Sequence, residues 1–106
     1  MHYLSVNIVR FADDGRPGWV TCEFLDAQGR CHTLVDRFPL FASEQEGVAT
    51  VFPRPGIVRC EQLRRWHDSR GRELVRVSTS SPDGVLSTEG LCEFTVLAGL
   101  VSAAPE

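Results

Sequence analysis

The sequence predicts an all-β fold, a small antiparallel six-stranded barrel, with a β-sandwich as the alternative. Apolar and polar residues alternate along most of the chain, as they do in strands that bury one face. Turn-forming residues interrupt this alternation at regular intervals, and no stretch has the spacing of an amphipathic helix. The chain has 106 residues, 42% hydrophobic and 24% charged, which suits one globular domain over residues 1 to 106.

Alternation defines the first two strands. Leu4, Val6 and Ile8 alternate with polar residues and predict a half-buried strand over about residues 3 to 11. A turn containing glycine and proline follows. Residues 19 to 26 then form the second strand, which is rich in β-branched and aromatic residues.

A hairpin is predicted at residues 26 to 30, which read Asp-Ala-Gln-Gly-Arg. Asp26 can accept hydrogen bonds from the backbone ahead of it, and Gly29 can take the positive φ that closes a three-residue loop. If Asp26 pairs with Arg30, the register of the next strand is fixed. The expected cross-strand pairs are Phe24–His32, Cys22–Leu34 and Val20–Asp36.

Residues 39 to 56 are predicted to form one long irregular loop with at most a short helical turn. Three prolines and two glycines in this stretch disfavour a long helix or a central strand. An ordered loop of this length in a small domain is often functional.

The second hairpin, over residues 57 to 79, repeats the Asp-x-x-Gly-Arg pattern at residues 68 to 72. Its register places Trp66 opposite Leu74 and Leu63 opposite Val77. Because the apolar residues change face within this strand, a β-bulge is expected between Cys60 and Leu63. A final strand over residues 91 to 97 precedes a short helical turn or a frayed tail.

The four cysteines, Cys22, Cys31, Cys60 and Cys92, are expected to be reduced and unpaired. The chain shows no secretory signal and no apolar run that could span a membrane, so we expect a cytoplasmic protein without a membrane partner. No cysteines or histidines are spaced as zinc ligands, and neither a metal nor another cofactor is predicted.

Catalytic chemistry has one candidate constellation in the sequence. Cys22, His32 and Asp36 share one face of the first hairpin, with His32 and Asp36 near its ends, where water would reach them. They predict, as an alternative function, a ligand-binding or enzymatic barrel with a pocket at these residues. No phosphate-binding loop or nucleophile elbow is present, and a non-enzymatic protein is the favoured interpretation.

The charge distribution singles out the second hairpin. Residues 54 to 76 hold seven arginines and three acids, whereas the rest of the chain holds four arginines and eleven acids. The candidate binding residues are Arg64, Arg65, Trp66, His67, Arg70 and Arg72.

This basic hairpin, over residues 59 to 76, predicts an adaptor- or immunity-type interaction module for an acidic protein partner or a second copy of the chain. Arginines beside an aromatic ring also suit single-stranded nucleic acid, which is the alternative partner. The sequence pI of about 5.6 makes nucleic acid the less favoured of the two.

Three stretches together resemble a group of short bacterial all-β proteins that have no assigned activity. They are the Gly-Trp-Val strand, the two Asp-x-x-Gly-Arg hairpins, and the Thr-Glu-Gly-x-x-Glu-Phe-x-Val-Leu ending at residues 88 to 97. The resemblance implies a stand-alone bacterial β-domain and assigns no site residue.

Overall fold

A computed structural model describes residues 1–12, 17–42 and 51–103 and confirms the all-β prediction. None of the described segments forms a helix long and apolar enough to cross a membrane. Short 3-10 turns at Phe38–Leu40 and Ala98–Leu100 are the helical segments in these ranges. The strands in the same ranges are β1 (His2–Phe11), β2 (Trp19–Leu25), β3 (Cys31–Arg37), β4 (Arg54–His67), β5 (Glu73–Ser78), β6 (Glu93–Leu97) and β7 (Val101–Ala103).

The strands form one antiparallel sheet that curls into a half-barrel. Its order is β3-β2-β1-β4-β5-β6, and β7 returns to pair with β1. This return follows directly from the 3-10 turn at Ala98–Leu100, which redirects the chain after β6. The short β7 was missed in the sequence because three residues are too few to show alternation.

The first hairpin has the register that the sequence predicts. Phe24 lies opposite His32, and the pairing continues through Cys22–Leu34. The inward side chains of this hairpin, including Val20, are buried in one hydrophobic core with residues from β1, β4, β5 and β6.

The second hairpin departs from its predicted register at one position. Trp66 lies opposite Leu74 as expected, but Gln62, not Leu63, lies opposite Val77. The ladder shifts between Gln62 and Arg64, so Leu63 is the extra residue of a bulge and its side chain is 44% exposed. A bulge was expected here, but the predicted Leu63–Val77 pair is wrong because the bulge includes Leu63 itself.

The loop predicted for residues 39 to 56 is shorter at both ends than expected. A 3-10 turn occupies Phe38–Leu40, and both Phe38 and Phe41 are fully buried in the hydrophobic core. Strand β4 already begins at Arg54, because it pairs with β1 there despite Pro55. The middle of the predicted loop, residues 43 to 50, lies outside the described residues.

Candidate functional site

The two Asp-x-x-Gly-Arg segments form turns with the same backbone geometry. In each, Oδ1 of the aspartate, Asp26 or Asp68, accepts hydrogen bonds from the backbone N–H groups two and four residues ahead, at 2.9 to 3.0 Å. Gly29 and Gly71 have φ of +80° and +79°, which an L side chain rarely adopts. The prediction that these segments are hairpin turns is confirmed.

The second carboxylate oxygen distinguishes the two turns. Oδ2 of Asp26 lies 2.8 Å from Nε2 of His32, whereas Oδ2 of Asp68 accepts a hydrogen bond from Nε of Arg72 at 2.8 Å. The guanidinium of Arg72 also donates through Nη1 to the carbonyl oxygen of Ala27 at 3.1 Å. The tip of the second hairpin is therefore bonded to the tip of the first.

His32 is a buried side chain, 4% exposed, and the prediction that water reaches it is wrong. Its ring packs against Phe24 and Phe94, with centroids 5.3 and 4.8 Å away. Strand β6, which is distant in the chain, covers the His32 ring, so the sequence of the hairpin alone does not indicate this burial. Nδ1 of His32 is buried without a hydrogen-bond partner in the described part of the chain.

The pocket predicted near Cys22, His32 and Asp36 is not formed by these residues. Cys22 is fully buried, and burial raises the pKa of its thiol to about 12, so the thiol stays protonated at neutral pH. Asp36 instead accepts a hydrogen bond from the backbone N–H of Arg37 at 2.8 Å. The three side chains belong to the core and its margin, and no hydrogen bond or ion pair within the described residues joins them.

The carboxyl group of Asp26 is held in its charged form. Burial by itself raises the pKa of Asp26. The hydrogen bonds from His32 and from the backbone N–H groups of Arg30 and Gln28 outweigh this and bring the pKa below its ordinary value.

The candidate residues on β4 lie together on an exposed surface. The guanidinium carbon of Arg64 lies 4.5 Å from the ring centroid of Trp66, a cation–π stack on a half-buried indole. Arg65 forms a 3.0 Å ion pair with Glu73 and a hydrogen bond to Gln62. His67 is exposed at the end of the same strand.

Most arginines of the basic hairpin form ion pairs with acids, and two of these acids lie outside the hairpin. Arg64 and Arg70 form no ion pair within the described residues, so the uncompensated positive charge is smaller than the residue count predicts. The sequence could not show this, because Asp83 and Glu93 reach the hairpin from other parts of the chain. The ion pairs are Arg59–Asp83, Arg65–Glu73, Arg72–Asp68 and Arg76–Glu93.

The outer half of β4 is an edge strand. The β1–β4 ladder ends at the pair His2–Cys60, and the β4–β5 ladder starts at Glu61–Ser78. Residues 61 to 67 thus have β5 on one side and none of the described strands on the other. The edge carries the side chains of Arg64, Arg65 and Trp66.

A cleft of about 1030 Å³ opens where the two hairpin tips meet. It is bounded by β1, the first hairpin tip, the 3-10 turn after β6, and the turn that carries Arg70 and Arg72. This cleft is not among the sites that the sequence predicts. The repeated turn was the available signal, but nothing in the sequence indicates that the two copies come together.

The environments of the thiols lead to a reactivity prediction. Cys31 is exposed, Cys92 is half-buried, and Cys22 and Cys60 are buried. In the native protein we expect a thiol reagent to label Cys31 first and Cys92 more slowly. Cys22 and Cys60 should react only on unfolding, because burial also raises the pKa of Cys60 to about 11. Time-resolved labelling with mass spectrometry measures this order, and a fast phase that survives in Cys31→Ser would contradict it.

Among the described residues, no group of three or more His, Cys, Asp or Glu side chains is placed to hold a metal ion. No family model, curated protein or solved structure matches this chain. The resemblance to short bacterial β-proteins therefore stays a prediction.

Proposed function

We propose that this chain is a non-enzymatic protein-interaction module of the bacterial cytoplasm, of adaptor or immunity type. It binds an acidic, extended segment of a partner protein along the outer half of β4. The observation that carries the proposal is the edge at residues 61 to 67, which pairs with β5 on one side and with no described strand on the other.

An open edge presents backbone N–H and C=O groups that a further strand can pair with. The side chains of this edge select the strand. Two copies paired through it would set Arg64 and Arg65 near the same arginines of the partner, and like charges across a ladder are destabilising. A strand bearing glutamate or aspartate meets these arginines favourably, with Arg64 held in place by its stack on Trp66.

The free cysteines support the proposed location in the cytoplasm. All four are free thiols in the structure. Unpaired cysteines are typical of a reducing compartment, where disulfides rarely persist.

Single-stranded nucleic acid is the competing partner. Arg64 and Trp66 offer a cation and a ring, but the guanidinium already covers one face of the indole. Arg65 and Arg72 are engaged by Glu73 and Asp68, which lowers the charge available to any anion. A nucleic acid depends on that charge, whereas an acidic protein strand also gains backbone hydrogen bonds along the edge. We therefore favour the acidic protein segment, and the experiment below includes nucleic acid as an outcome.

The test measures fluorescence anisotropy of a labelled peptide that repeats Thr-Glu-Glu-Thr, at about 150 mM salt. Adjacent residues of a strand point to opposite faces, so this repeat presents glutamates to both Arg64 and Arg65. We expect saturable binding that weakens at least about tenfold in Arg64→Glu/Arg65→Glu, since two attractive charge contacts become repulsive. The matched control is Arg10→Glu/Arg37→Glu, which makes the same charge change at exposed positions outside residues 61 to 67. Equal losses in both double variants would show a non-specific charge effect and contradict the proposal.

Two further ligands sharpen the result. The same peptide with alternate backbone amides methylated cannot complete a ladder, so it should bind at least about tenfold more weakly if strand addition is correct. Equal binding of the methylated peptide overturns the strand mode. A labelled oligothymidylate that binds more tightly than the acidic peptide overturns the protein-partner proposal in favour of nucleic acid.

A further inference from the structure

The cleft lies where the sheet divides along one edge of β1. The β1–β2 ladder ends at Asn7–Glu23, and the β1–β7 ladder ends at Leu4–Val101. Between these pairs, Ser5 and Val6 have no described strand beside them on that edge. The cleft opens at this gap, and its volume of about 1030 Å³ lies at the upper end of the range typical of small-molecule sites.

The walls of the cleft are mainly hydrocarbon. Leu25 and Leu97 are the last residues of β2 and β6, and their side chains are 56% and 40% exposed. Apolar side chains exposed together around a concavity mark a binding surface more often than isolated ones do. The apolar lining comprises Val6, Phe24, Leu25, Ala27, Leu97 and Leu100.

Charged residues of both signs line the cleft. Glu23 lies near Cys31, and its charge raises the pKa of that thiol after the effect of burial. Asp26 uses both carboxylate oxygens within the protein. Arg70, which also lines the cleft, makes no ion pair or side-chain hydrogen bond within the described part of the chain. Its guanidinium keeps all its donors for a ligand.

The turn that carries Arg70 is fixed in place. Its backbone N–H donates to Oδ1 of Asp68 at 2.9 Å, and Arg72 bonds the same turn to Ala27. The backbone that carries the Arg70 guanidinium is therefore ordered before an anion binds, which lowers the entropy cost of binding.

We infer that this cleft binds a small amphipathic carboxylate, with its hydrocarbon body against the apolar walls and its carboxylate at Arg70. The free length of β1, Ser5 and Val6, is too short to receive a peptide strand, and this favours a small molecule over a protein segment. The site is separate from the proposed edge of β4, so either can fail without the other.

The test uses anilinonaphthalene sulfonate, a fluorescent apolar anion, as the reporter, and decanoate and decanol as competitors. We expect the reporter to bind the native protein and decanoate to displace it at a concentration at least about tenfold lower than decanol, because only decanoate pairs with a guanidinium. Reporter fluorescence that does not rise on adding folded protein overturns the site. Equal displacement by the two competitors overturns the carboxylate assignment.

Matched variants locate the binding. Arg70→Gln should remove the preference for decanoate, whereas Arg10→Gln, the same change at an exposed position outside the cleft, should retain it. Leu25→Gln should weaken both competitors, and Leu86→Gln, at a leucine that is 49% exposed elsewhere, should not. Circular dichroism confirms that each variant is folded. If Arg70→Gln and Arg10→Gln behave alike, the inference is wrong.

Discussion

Replacing Asp26 with alanine is expected to lower the free energy of unfolding by about 3 kcal/mol. The buried ring of His32 and the backbone N–H groups of the turn lose their hydrogen-bond acceptor together. The carboxylate satisfies two backbone N–H groups through Oδ1 and the buried His32 through Oδ2. Without it, both ring nitrogens of His32 lack a partner within the described residues, since Nδ1 already has none. Urea denaturation followed by tryptophan fluorescence measures the change.

Asp68→Ala is the matched control, because Asp68 makes the same two backbone contacts in an identical turn. Its other oxygen pairs with Arg72, whose exposed guanidinium water can solvate. We expect a clearly smaller loss of stability. Equal losses at the two aspartates would mean that the bond to His32 contributes little.

A double variant separates the histidine from the turn. In Asp26→Ala/His32→Phe, the ring that loses its partner is replaced by one that needs none, and Phe24 and Phe94 already provide aromatic neighbours. The double variant should regain at least about 1 kcal/mol relative to Asp26→Ala. A further loss would show that the imidazole contributes through packing that phenylalanine cannot match.

The contribution of Asp26 to stability changes with pH in a defined direction. The pKa of Asp26 is lower in the folded protein than its ordinary value of 3.8, so its contribution to the free energy of unfolding is fully present above pH 3.8. The contribution disappears as the pH falls through the folded pKa. The stability difference between the native chain and Asp26→Asn should therefore narrow on acidification below about pH 4. A difference that stays constant into that range would contradict this assignment.

The second large effect is expected at Gly56, in the part of β4 that pairs with β1. A Cβ atom there would lie 2.7 Å from two side-chain carbons of Ile8 and 2.8 Å from the carbonyl oxygen of Phe41. That oxygen accepts the 2.8 Å hydrogen bond from the N–H of Ile57, so it cannot retreat freely. Gly56→Ala should destabilise the protein by about 2 to 3 kcal/mol through overpacking.

Gly99→Ala tests whether this cost is specific. A Cβ at Gly99 has no heavy atom within 4 Å, and its φ lies outside the left-handed region. The substitution should change the unfolding free energy by no more than about 0.5 kcal/mol. Similar losses in both variants, measured by urea denaturation, would show that the space around Gly56 is not the cause.

The hairpins can be predicted from short sequence patterns because each hairpin pairs residues that are close together in the chain. Alternation places the inward face, and the Asp-x-x-Gly-Arg turn sets the register, so the pairing of Phe24 with His32 follows from a few neighbouring residues. A change of face along β4 predicts a bulge between Cys60 and Leu63, but it does not identify Leu63 as the extra residue, because a ladder can accommodate the extra residue at several points.

The candidate site could not be predicted in the same way, since it depends on contacts between distant parts of the chain. The burial of His32 depends on Phe94, and the pairing of Arg59 depends on Asp83. No periodicity connects these positions. The clustering of basic residues on one hairpin follows from the sequence, but the pairing of four of its arginines with acids and the neighbouring cleft appear only when the sheet curls.

The hydrogen bond from Arg72 to Ala27 joins residues 45 positions apart. Each hairpin closes a short loop and forms at little entropic cost, whereas bringing the two tips together closes a much longer one. Assembly is therefore expected to proceed from two independent hairpins to their junction. We expect the cleft to form only at that last step and to be removed by local opening before the hairpins themselves open.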